Sequence, residues 1–185
     1  MFYLISGGSG SGKSEFAETT IEHLQNKDKK VPLLYIATML AFDSEAEEKI
    51  RRHRLMRKHR GFETKECYFG LKDLRIPENS MVLLDCMSNL VANEMFQKDG
   101  AKEAVTEEIL LGIYRIKQQS SHLVVVTNDI SFDGGEYEET TQKYIENLGM
   151  INKKMAESAD VVIEVVCGIP IYHKKSDTKK ERGLC

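Results

Sequence analysis

No stretch of this sequence approaches the roughly 20 consecutive apolar residues that a bilayer-spanning helix needs, which excludes a transmembrane helix. A basic and apolar leader is also missing. The N-terminus enters a strand-like run directly, so a cytoplasmic location is expected. Positive charge is not in excess: 26 Lys and Arg stand against 29 Asp and Glu, a net charge of −3. That balance gives no bulk attraction to nucleic acid or to an anionic membrane, and no nucleic-acid partner is expected. Cysteine is sparse and scattered. Cys67, Cys86, Cys167 and Cys185 form no CxxC pair, which argues for reduced thiols rather than metal ligands or a disulfide framework. No internal repeat is visible.

What is present is ordinary globular material. Hydrophobic residues make up 41% of 185, enough for one compact domain with a real core. That domain is expected over 1–173, with a polar, charged tail at 174–185. Five short, almost continuously apolar runs stand out: Phe2–Ser6, Leu33–Ala37, Met81–Asp85, Leu123–Asn128 and Val161–Val166. Such runs suit parallel strands buried on both faces. Helical patterns separate them, near 14–25, from Ser44, and near 88–98, 105–119 and 138–158. Ser44-Glu45-Ala46-Glu47 reads as a capping box. Strand–helix alternation predicts a doubly wound α/β domain, a mostly parallel central sheet flanked by helices.

The strongest local signal is Gly7-Gly8-Ser9-Gly10-Ser11-Gly12-Lys13-Ser14. It matches G-x-x-x-x-G-K-S/T in full, between a strand and a helix. Glycines let backbone N–H groups turn toward phosphate oxygens, and the helix N-terminus adds partial positive charge there. Lys13 is placed to reach the β- and γ-phosphates, and the Ser14 hydroxyl to ligate Mg²⁺. Asp85 ends the run Met81-Val82-Leu83-Leu84-Asp85, the form of a Walker B strand, and is a second candidate Mg²⁺ ligand. The motif specifies a nucleoside triphosphate. It does not specify the acceptor.

A second feature is KIRRHRLMRKHR at Lys49–Arg60, where nine of twelve residues are basic or His. A solvated helix face, a nucleic-acid patch and an anion site all fit such a run. Spacing favours the anion site without excluding a solvated face. His53 has Lys49 four residues before it and Arg57 four residues after it, on one helical face. Flanking cations disfavour a further positive charge and so favour a neutral imidazole, the form a nitrogen nucleophile needs. His59 and His122 lack this arrangement and read as surface residues.

Taken together, these segments resemble the bifunctional adenosylcobinamide kinase/adenosylcobinamide-phosphate guanylyltransferase family. The likeness runs from Phe2 to about Ile171. It is borne by GGSGSGKSEFAE at Gly7–Glu18, LYIAT at Leu34–Thr38, DSEAEEKIRRHRLMR at Asp43–Arg57, DCMSNLVANEMF at Asp85–Phe96, VVVTND at Val124–Asp129 and NKKMAESADVVIEVVCGIPI at Asn152–Ile171. The P-loop is common to many families. The combination of I-A-T, H-R-x-x-R and Asp-Cys-x-Ser/Thr with a later Asn is far more specific.

The resemblance implies a RecA-like P-loop fold, a homotrimer and two reactions. ATP or GTP phosphorylates the aminopropanol hydroxyl of adenosylcobinamide. GMP from GTP is then transferred to adenosylcobinamide phosphate through a guanylylated histidine, which falls on His53. Arg54 and Arg57 match family arginines that would hold phosphates. Other readings of the residues are a P-loop kinase of another small hydroxyl substrate and a nucleotide-gated binding protein.

The chain departs from the family pattern in places. Gly10 replaces an arginine, and Lys58 replaces a proline. The segment Asn128–Glu136 lacks the usual glycine and proline positions, and Tyr144-Ile145-Glu146 replaces F-R-D.

Overall fold

Successive side chains of a strand point to opposite sides of a sheet, so a strand covered on both faces must be apolar throughout. The computed structural model describes residues 1–25, 31–41, 44–57, 60–130 and 137–175. In it the five apolar runs are strands of one seven-stranded sheet. These are β1 (Phe2–Ser6), β2 (Leu33–Ala37), β4 (Met81–Asp85), β5 (His122–Val126) and β6 (Val161–Val166). Two further strands, β3 (Glu63–Glu66) and β7 (Ile169–Lys174), close the two edges. The order is β3-β2-β4-β5-β1-β6-β7, with β7 alone antiparallel to its neighbour.

Five helices connect the strands: α1 (Lys13–Gln25), α2 (Ser44–Arg57), α3 (Met87–Phe96), α4 (Val105–Gln119) and α5 (Glu139–Ser158). The core is split by the sheet. On one side Ala17, Ile21 and Leu24 of α1 pack on Tyr3, Ile5, Tyr35, Leu83 and Val124. On the other, α3, α4 and α5 bring Leu90, Ile109, Ile113, Ile151 and Met155 onto Phe2, Leu4, Leu84 and Val125. Each such aliphatic side chain contributes about 1.5–3 kcal/mol when fully buried.

Two expectations shift in detail. The fourth run, expected over Leu123–Asn128, begins at His122 and leaves the sheet after Val126. Thr127 and Asn128 turn their side chains to α5 and α3 instead, where Thr127 Oγ1 donates to Asn152 Oδ1 (2.8 Å) and Asn128 Nδ2 to Ser88 Oγ (2.7 Å). His122 is half-buried at the start of β5, its ring centroid 6.4 Å from that of Tyr3, and is not a surface residue. His59 lies outside the described residues.

No described helix is long and apolar enough to cross a membrane. Cys67 and Cys86 are buried thiols and Cys167 is exposed. Burial, aided by the Glu94 carboxylate, pushes Cys67 up to about 11. Cys185 and the rest of 176–185 lie outside the described residues.

The connectivity fixes where a ligand can bind. The chain leaves β1 through α1 on one face and leaves the adjacent β5 toward α5 on the other. Neighbouring strands whose connections diverge leave a crevice beyond their carboxyl ends. The Gly-rich loop occupies that position.

Candidate active site

The loop from Gly7 to Gly12 joins β1 to α1 and is held from three directions. From the loop after β5, Asp129 N donates to Gly7 O (3.2 Å). From the β6–β7 turn, Gly168 N donates to Ser11 O (2.8 Å). From inside, Lys13 folds back and donates through Nζ to Gly8 O (2.8 Å), with the residue only 8% exposed. The β6–β7 turn is a two-residue loop, Cys167–Gly168, with φ of 49° and 82°. Positive φ at both positions is the type I′ geometry that matches strand twist.

The approach is close enough to dictate glycine. A Cβ on Gly7 would lie 2.5 Å from Val165 O and 2.6 Å from Ser11 Oγ. The Ser11 hydroxyl is buried without a hydrogen-bond partner among the described residues. Gly7→Ala is therefore expected to force the loop and the end of β6 apart. Nucleotide affinity should fall by about tenfold or more, since overpacking of this kind costs about 1–3 kcal/mol. Titration with a fluorescent ATP analogue checks this, and unchanged affinity would show that the contact with β6 does not set the loop.

Asp85 stands at the carboxyl end of β4. The phenol of Tyr35, 3% exposed, donates to Asp85 Oδ2 at 3.0 Å. Beside it lies a buried polar network. Thr38 Oγ1 donates to Cys86 O (2.8 Å) and accepts from Cys86 N (2.9 Å), while Asn93 Nδ2 donates to Thr38 O (2.8 Å). Unpairing any one of these buried groups costs about 1–3 kcal/mol, so the network holds the ends of β2 and β4 in register. Ser88 continues it. Its hydroxyl lies 3.1 Å from Cys86 Sγ and accepts from Asn128, and its carbonyl accepts from Tyr144 Oη (3.2 Å).

Burial and the adjacent Asp85 carboxylate push the Cys86 thiol above its ordinary range. It is a neutral packing group, not a nucleophile. Burial likewise lifts the Tyr144 phenol to about 12. Sequence reasoning gave no role to Tyr35, Thr38, Ser88 or Asn93. Their signal was present in LYIAT and DCMSNLVANEMF, but the pairings are fixed only by the sheet.

Gly7 through Ser14 and Asp85 lie at the same carboxyl edge of the sheet, after β1 and at the end of β4, with β5 between them. The basic helix sits elsewhere. Arg54 of α2 is ion-paired to Glu66 of β3, and Tyr68 Oη donates to the same carboxylate (2.7 Å). A groove of about 560 Å³ opens there, lined by Ile50, Arg51, Arg54, Leu55, Glu66 and Tyr68. From β3 to β1 is four strand steps in the sheet order, or about 19 Å at about 4.8 Å each. His53 and Arg57 belong to the α2 backbone, but their side chains lie outside the described residues, as do Asp43, Lys58 and the 131–136 segment. After α2 the chain is tied back to the P-loop helix. Arg60 Nη1 donates to Glu22 (3.0 Å), and its Nε lies 3.6 Å from the buried Glu18.

Ser14 and Asp85 offer hard oxygen donors, the type that suits Mg²⁺. With Asp85 fixed by a buried phenol beside a phosphate-type loop, the donor chemistry fits that ion. One carboxylate and one hydroxyl leave its other ligands to water and phosphate.

Known proteins share this fold. The flagellar accessory protein FlaH of Methanocaldococcus jannaschii superimposes with a TM-score of 0.50 at 13% identity, over 95% of this chain and 78% of that one. The likeness is one of fold alone, and the fold is a RecA-like P-loop fold. The bifunctional adenosylcobalamin biosynthesis protein CobU of Salmonella typhimurium is 28% identical over 94% of this chain and 100% of that protein. Its Escherichia coli counterpart is 29% identical over the same shares. The family model described as cobinamide kinase / cobinamide phosphate guanyltransferase matches residues 3–172. The chain belongs to that family of cobalamin-biosynthesis transferases.

Proposed function

We propose that a single catalytic domain, 1–173, works in the cytoplasm on adenosylcobinamide in two steps. In the first, the acceptor hydroxyl oxygen attacks the γ-phosphorus of ATP or GTP. The bond to the β–γ bridging oxygen breaks and the nucleoside diphosphate leaves. The loop N–H groups and Lys13 hold the phosphates. Ser14 and Asp85 would hold Mg²⁺, which when bound neutralises charge on the β- and γ-phosphates. The candidate bases for the hydroxyl proton are Asp129, whose backbone N–H donates to Gly7 O (3.2 Å), and Asp43, which lies outside the described residues.

In the second step an imidazole nitrogen of His53 attacks the α-phosphorus of GTP. A P–N bond forms and pyrophosphate departs. A phosphate oxygen of adenosylcobinamide phosphate then displaces the histidine, giving adenosylcobinamide-GDP. Arg54 and Arg57 steady the phosphates, and Arg54 must exchange Glu66 for the nucleotide to do so. A homotrimer belongs to the same reading.

The observation that carries this proposal is the complete loop after β1, with Lys13 folded across it and Asp85 at the same sheet edge on β4, one strand removed, in a chain of this family. The test uses GTP labelled at the α-phosphate. After incubation with Mg²⁺ and mild alkaline denaturation, wild-type protein should retain label that acid releases, as a phosphoramidate does. Absence of label, with GTP shown to bind, would leave a P-loop kinase without covalent histidine chemistry.

A further inference from the structure

Resting on the reading of Asp85 as the metal-side carboxylate, we infer that Tyr35 is a positioning residue. Its hydroxyl fixes Asp85 in the orientation that receives Mg²⁺, and Phe62 holds Tyr35 in place.

The sheet register creates the contact. In the parallel β2–β4 pair, Tyr35 lies opposite Leu83 and Ala37 opposite Asp85. Alternation puts Tyr35, Leu83, Ala37 and Asp85 on one face, the face covered by α1. Tyr35 and Asp85 are thus diagonal neighbours two positions apart. The residue directly opposite Asp85 is alanine, too small to reach it, and the longer phenol reaches past it to Oδ2 at 3.0 Å. The ring serves the core, and an apolar residue would serve it equally. The hydroxyl is what tyrosine adds, and its partner is the Walker B carboxylate. Charge-assisted hydrogen bonds of this kind fix orientation as well as energy.

Phe62 completes the arrangement. Its ring meets Tyr35 edge-on, with centroids 6.0 Å apart and planes at 84°. Edge-to-face contacts of this type restrain both rings. Phe62 follows Arg60, which is paired to Glu18 and Glu22 of α1. The segment that leaves the basic helix is therefore packed against the residue that orients Asp85.

Partners one shell removed from a metal ligand typically change metal affinity by about 10–100-fold when lost. The test measures Mn²⁺ binding by electron paramagnetic resonance with a non-hydrolysable ATP analogue present, in wild type, Tyr35→Phe, Phe62→Ala and Asp85→Asn. Tyr35→Phe keeps the ring and should keep the analogue's affinity measured without divalent ion. Mn²⁺ should bind about tenfold more weakly, and kinase turnover should recover as Mg²⁺ is raised. Phe62→Ala, which keeps the hydroxyl, should act in the same direction but less.

Wild-type Mn²⁺ affinity in Tyr35→Phe, with loss in Asp85→Asn, would overturn the positioning role and leave the metal reading standing. Wild-type affinity in Asp85→Asn would overturn the metal reading itself. A larger effect of Phe62→Ala than of Tyr35→Phe would also refute the assignment, because packing rather than the hydroxyl would then set the affinity.

Discussion

Lys13→Ala is expected to lower phosphorylation of adenosylcobinamide by about 10²–10³-fold, the usual effect of deleting one preorganised charge at a developing anion. The protein should stay folded. Lys13 is the first residue of α1 and is held among loop atoms by its bond to Gly8 O. Its ammonium thus needs little reorganisation to meet phosphate oxygens in the same cradle. Removing it costs the loop the bond to Gly8 O. Gly8 O keeps the Ser11 N–H (3.2 Å), and Phe16 N remains bonded to Gly12 O (3.0 Å). Alanine is also the best helix former, so α1 should persist. Initial rates at saturating ATP, beside a thermal melt, check both halves. An unchanged rate would show that this loop does not carry phosphoryl transfer.

The difference between what was legible in the sequence and what was not is one of range. β1, β2, β4, β5 and β6 could be read because each is buried on both faces and had to be apolar throughout. β3 and β7 could not. Glu-Thr-Lys-Glu of β3 is mostly exposed and joined to the sheet through β2 alone. β7 is an edge strand with a proline, Pro170, which the sheet tolerates only at such a place. The phosphate loop was legible because its chemistry is contained in eight adjacent residues, and Asp85 because an acid ending an apolar strand is itself a local pattern. Tyr35 with Asp85, Thr38 with Cys86, and Ser88 with Asn128 are 50, 48 and 40 residues apart. The β2–β4 register makes the first two pairs partners, and the meeting of α3 with the segment after β5 makes the third. For the same reason charge and spacing marked out the basic helix, yet neither placed it at the β3 edge beside Glu66.

His53→Ala is expected to abolish guanylyl transfer while leaving most of the kinase rate, a split larger than any other single substitution in α2 should give. The argument begins with position. α2 spans Ser44–Arg57 and contributes no described side chain to either buried core cluster. Alanine preserves the helix, so the change should not spread to the sheet. Glu66, the described partner of Arg54, lies on the β3 edge, whereas the loop with Lys13 stands at β1. The kinase step as proposed uses no atom of His53. Guanylyl transfer as proposed depends on its imidazole for the P–N bond, and no neighbouring arginine can replace a nucleophile with a permanently charged guanidinium. The two activities are measured separately: phosphate transfer from γ-labelled ATP to adenosylcobinamide, and GMP transfer from α-labelled GTP to adenosylcobinamide phosphate. Complete loss of both in a folded His53→Ala protein would contradict this division, because α2 would then have to act in the phosphoryl-transfer step as well. Retention of guanylyl transfer would move the covalent step to another residue.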